Sequence, residues 1–146
     1  MFIPDLTHAF EKFPVQRVRK TALALARDVS GTVDLLVVEL AALLHDVLDK
    51  KYVSAELAAD PLTFFTPFFE SVREHVDLFK NDRAVLIAKI VNNVSWSTEK
   101  KLRAEGAITT WHESCVELHC VQDADRLDAI GAFGRTDLHI ARVQYH

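Results

Sequence analysis

The chain has 146 residues, of which 49% are hydrophobic and 26% charged, enough for one compact domain around a single core. A net charge of −4 argues against a broad nucleic-acid or membrane surface, although local cations can still hold a phosphate. No apolar run approaches the roughly 20 residues of a membrane span, and the start, Met1 to Asp5, lacks the basic and apolar regions of a signal peptide, so a cytoplasmic protein is expected.

Few glycines and prolines break the chain, and apolar residues recur at three and four, which predicts an all-α domain over residues 1–146. A first short helix is expected from Asp5 to about Phe13, stopping at Pro14. The next, Val15 to about Val29, puts Val15, Val18, Ala22, Leu25 and Ala26 on one stripe and most of its cations off it. Ser30-Gly31-Thr32 breaks the chain, and Thr32 or Asp34 can cap a third helix that carries an apolar run into His45-Asp46. A short segment near Ser54 to Ala59 closes at Asp60-Pro61. Leu62 to Phe79 is rich in phenylalanine on one broad face, reads as core, and is expected to be interrupted at Pro67. Asn81-Asp82 should cap a helix reaching about Asn93, with Val85, Ile87, Ala88, Ile90, Val91 and Val94 inside. Ser97 or Thr98 starts a polar helix that ends before Gly106, and a last long helix is expected from Trp111 to Phe133. Within it Cys115 and Cys120 point in different directions and read as buried reduced thiols.

Two stretches carry chemistry. In Leu43-Leu44-His45-Asp46 an imidazole and a carboxylate stand where an apolar helix should simply continue. Burying both costs several kcal/mol unless each finds a partner, and a metal ion satisfies the two together. In Asp123-Ala124-Asp125-Arg126-Leu127-Asp128 the acids interrupt two adjacent apolar stripes, one through Leu118, Val121 and Asp125, the other through Val116, Cys120 and Asp123, and helical periodicity does not choose between them.

The His45-Asp46 doublet, the run from Asp123 to Gly131 and Val15-Gln16-Arg17-Val18 together resemble the HD-domain metal-dependent phosphohydrolases over about residues 14–134, especially their small nucleotide-pyrophosphate-cleaving or uncharacterised branch. The resemblance implies a helical bundle holding a divalent ion (Mn, Mg, Fe, Ni or Zn) on His45, Asp46 and a final aspartate, Asp125, with Asp123 as the alternative. It implies hydrolysis of a phosphoester or phosphoanhydride of a small phosphorylated metabolite, a nucleotide by class, with no nucleic-acid polymer and no membrane as partner. Asp49 lies one turn beyond Asp46 and can serve as acid or base, Lys50 and Arg126 can take the growing phosphoryl charge, and Arg17 and Lys51 can bind substrate. Each has a plainer reading. Lysines can end a helix in solvent, Arg17 and Arg126 can pair with Asp123 or Asp128, and His45 can be a core histidine. The sequence departs from the family where the first histidine ligand should precede the Val-x-Arg-Val run, because Pro14 stands there, with His8 as a possible substitute. The pattern is also shortened at the C-terminus. A second expectation is therefore a catalytically silent HD fold that binds a phosphorylated ligand or a protein.

Overall fold

A computed structural model describes residues 14–48 and 54–131, and among these every regular element is helical. The helices are α1 (Pro14–Asp28), α2 (Leu35–Leu44), α3 (Ala55–Ala58), α4 (Pro61–Ser71), α5 (Arg83–Val91), α6 (Trp96–Ala104), α7 (Thr110–Ser114) and α8 (Val116–Gly131), with a 3-10 turn at Lys80–Asp82. The expected helix from Asp5 to Phe13 lies outside the described residues.

The centre is α2, Leu-Leu-Val-Val-Glu-Leu-Ala-Ala-Leu-Leu, apolar on nearly every side. A helix without a polar face has to be surrounded. It packs against α1, α5 and α8, and Val37, Val38, Leu40, Ala41 and Ala42 are fully buried. Each such aliphatic side chain larger than alanine contributes about 1.5–3 kcal/mol. Around it α1 buries Val15, Val18, Ala22 and Ala26 of the predicted stripe together with Leu23, and Leu25 packs half-buried against the same core. The α1–α2 turn depends on Gly31, whose φ of +110° strains any residue with a Cβ.

Caps explain the boundaries. Asp34 Oδ1 accepts from Val37 N–H at the start of α2, while its Oδ2 takes Arg83 Nε at 2.8 Å, which ties α5 to the same corner. Ser95, not Ser97 or Thr98, caps α6 by accepting from Thr98 N–H. That helix ends with Gly106 donating to the Arg103 carbonyl and Ala107 to that of Leu102, at a φ of +65° that suits glycine.

Four local expectations fail for physical reasons. The chain stays helical through Pro67 because that residue sits on the exposed side of α4, and Phe65, Phe69 and Val72 bury as one face. Asn81 and Asp82 both take left-handed backbone, so neither side chain caps α5. Val85 is exposed at the outer edge of α5. The long C-terminal helix breaks at Cys115, which becomes extended (ψ 99°) and separates α7 from α8, where both cysteines are buried and free.

Candidate functional site

His45 caps the C-terminal end of α2, just past the apolar run. The helix stops there and the chain turns over residues 45–48; the imidazole lies inside, its side chain 3% exposed, while Asp46 reaches solvent. His45 Nδ1 donates to the Ala42 carbonyl at 2.6 Å, which leaves Nε2 as the nitrogen facing inward. That atom lies 3.2 Å from Asp125 Oδ1 on α8 and 3.4 Å from Asp46 Oδ1. Neither oxygen meets it in hydrogen-bond geometry, and Nε2 is buried without a partner.

Two acid oxygens converge on a buried nitrogen whose other face is tied to a backbone carbonyl. A backbone carbonyl on the far ring nitrogen likewise orients histidines that ligate metals. Nitrogen and oxygen donors about 2.1 Å from one ion stand roughly 3.0–3.4 Å apart, and the two separations here fall at that spacing. Burial works to lower the His45 pKa, but the Asp125 carboxylate facing it, the charge of Asp46 and the Ala42 carbonyl together hold it above its ordinary value. A positive charge at Nε2 is what the cluster favours, and either a proton or a bound cation supplies it. The donor set of one imidazole and two carboxylates therefore fits a divalent ion in kind. Among the described residues, though, no three such side chains are spaced as a completed ligand group.

A cavity of about 360 Å³ opens beside His45 and Asp46. Polar side chains from the α5–α6 junction, Asn92, Ser95, Ser97 and Thr98, help to line it. The sequence showed these only as helix-ending and capping residues. Their signal was the density of amide and hydroxyl groups between two helices, more than a single cap requires.

The remaining predicted residues separate. Asp49, Lys50 and Lys51 lie outside the described residues, as does His8. Arg17 is exposed and pairs with Asp128 at 2.8 Å, the plainer of its two readings, joining α1 to α8. Arg126 turns away from His45. Its guanidinium pairs with Glu99 and lies over the Trp96 ring at 5.0 Å. Asp123, the alternative to Asp125, lines a different cavity of about 420 Å³ together with Glu99, Arg103, His119 and Arg126. Burial there pushes the Asp123 pKa up, against the opposing charges of Arg126 and His119. Glu99 behaves oppositely. Burial would raise it, but hydrogen bonds from Arg103 and Arg126 hold it below the usual carboxylate range.

Comparison with known proteins gives the family. The HD-domain family matches residues 15–130, which include His45, Asp46 and Asp125. The chain is 36% identical over 106 residues to the uncharacterized protein YpgQ of Bacillus subtilis (strain 168), covering 69% of this chain and 42% of that protein. It thus spans less than half the length of the curated relative it matches. No solved structure matches it. None of the described helices is long and apolar enough to cross a membrane. With the match running over most of its length and its doublet histidine facing the downstream aspartate, the chain belongs to the HD-domain family.

Proposed function

We propose that this chain is a metal-dependent phosphohydrolase acting on a small phosphorylated metabolite, with a nucleotide as the substrate class. One observation carries the proposal: the buried Nε2 of His45, unpartnered and facing Asp125 and Asp46, with His45 and Asp46 lining an open cavity. His45, Asp46 and Asp125 would hold the ion. When bound, it supplies Lewis acidity toward a phosphoryl oxygen and lowers the pKa of a nearby water. The Ala42 carbonyl keeps Nδ1–H occupied and so fixes which nitrogen points at the site. Asn92 and the hydroxyls of Ser97 and Thr98 can donate to phosphoryl oxygens in the cavity, while Ser95 donates to Thr98 Oγ1 and orients it. By their place in the sequence, Asp49 would be the acid or base, and Lys50 and Lys51 cations for the charge growing on the phosphate. Arg126, held by Glu99, has a structural role in this reading instead of gripping the phosphate.

The test is release of phosphate or pyrophosphate from a nucleotide panel with each divalent ion in turn. Activity should depend on the ion and vanish in Asp46→Ala. A folded wild-type chain that releases neither product with any ion overturns the proposal.

Pro14 supports a second reading, an HD fold that binds without catalysing. It opens α1 where the family pattern calls for a histidine, and proline brings no ligand atom. Loss of one ligand in four weakens a metal site steeply. Calorimetry separates the two readings, because the silent module binds nucleotide in the presence of a chelator and the hydrolase site does not.

A further inference from the structure

The larger cavity, about 420 Å³ between α6, α7 and α8, stands apart from the candidate metal site. Adjacent residues serve the two separately: Asn92 and Thr98 line the smaller cavity, and Asn93 and Glu99 the larger. Its volume lies in the range of small-molecule sites.

The wall contains groups whose hydrogen-bonding capacity the fold leaves unused. Arg103 places Nε and Nη2 on Glu99 Oε1, and Arg126 places Nη2 on Glu99 Oε2, so a single carboxylate serves two guanidinium groups. Arg126 Nε is buried with no partner. Gln122 is 9% exposed and donates its amide to the Asn93 carbonyl at 3.2 Å, while its Oε1 has no partner among the described residues. Asp123 and Glu113 also line the cavity and form no ion pair among the described residues. The imidazoles are already committed. His112 accepts Thr109 N–H at Nδ1 and donates from Nε2 to Asn93 Oδ1, and His119 Nε2 donates to the His112 carbonyl.

The cavity opens to solvent, and its wall carries a buried donor, Arg126 Nε, and an acceptor, Gln122 Oε1, that no described residue pairs. A simple anion would meet Asp123 and Glu113, and a simple amine would meet two guanidinium groups. A molecule carrying both charges matches the wall, its carboxylate toward Arg126 and Arg103 and its ammonium toward Asp123, Glu113 and the Gln122 carbonyl. We propose that this cavity is a binding site for a small zwitterion with the chemistry of a free α-amino acid, separate from the phosphohydrolase site.

The experiment is calorimetric titration of the full chain with the common α-amino acids. Each binder is compared with its N-acetyl and carboxamide forms, and with putrescine and inorganic phosphate. At least one amino acid should bind, and both blocked forms should bind about tenfold more weakly or not at all. Glu113→Gln, at an exposed position, and Asp123→Asn, of unchanged shape, should each weaken binding about tenfold with an unchanged circular dichroism spectrum. Binding should persist in Asp46→Ala, so loss of the hydrolase reading would leave this site standing. Failure of every amino acid to bind, equal binding of an N-acetyl form, tighter binding of putrescine or phosphate, or wild-type affinity in both folded variants would each overturn it.

Discussion

Replacing Glu99 with glutamine keeps its shape and removes its charge, which isolates what the carboxylate does for the fold. Glu99 is 12% exposed and receives Arg103, which is largely in solvent, and Arg126, which is 24% exposed and reaches from α8 across to α6. The Arg103 pair is an i,i+4 surface pair worth about 0.3–0.5 kcal/mol. The Arg126 pair is largely desolvated, and its loss leaves a guanidinium whose Nε already has no partner, at about 1–2 kcal/mol. Together the substitution should cost about 2 kcal/mol, or roughly 4–8 °C in Tm for a domain of this size. The effect has a definite pH signature. The folded-state pKa of Glu99 is depressed, so its contribution is present above the unfolded value of 4.5 and is lost as pH falls through the lower folded value. Melting wild type and Glu99→Gln at pH 7 and again well below pH 4.5 should show the gap only at the higher pH. An equal gap at both pH values would mean the glutamine acts through packing, and no gap at pH 7 would mean the ion pair contributes nothing. A double-mutant cycle with Arg126→Met should return most of the coupling, and one with Arg103→Ala little of it.

Metal should stabilise the chain through His45. Adding Mn²⁺ or Ni²⁺ to chelator-treated protein should raise Tm with a dependence on ion concentration, and His45→Asn should abolish that rise; an equal rise in the variant would move the ion elsewhere. Phe69, fully buried against Phe65, Phe68 and Phe79, should cost about 3–5 kcal/mol when replaced by alanine, read as a fall in the urea midpoint. Burial pushes the Cys120 thiol up to about 11, with Asp123 and Glu117 adding to the shift, so a thiol reagent near neutral pH should label it only as fast as the chain unfolds. Prompt labelling of native protein would contradict its burial. Arg17→Ala should leave Tm close to wild type, because its bond to Asp128 is made at the surface.

The sequence by itself determined the helical class, because apolar spacing at three and four survives in the structure as buried stripes on α1 and α4. It also marked His45 and Asp46, since a polar pair at the end of an apolar helix needs a partner whatever the fold. What periodicity left open, tertiary packing decided. Asp123 and Asp125 interrupt neighbouring stripes of one helix, and only the rotation of α8 against α2 brings Asp125 to His45 and turns Asp123 to the other cavity. The same rotation takes Arg126 away from its neighbour's site, because residues adjacent on a helix diverge by about 100°. Pro67 and Cys115 show the limit from the other side. A proline on an exposed face need not end a helix, and a buried cysteine with no unusual propensity can sit where one breaks, because backbone direction there follows what the chain packs against.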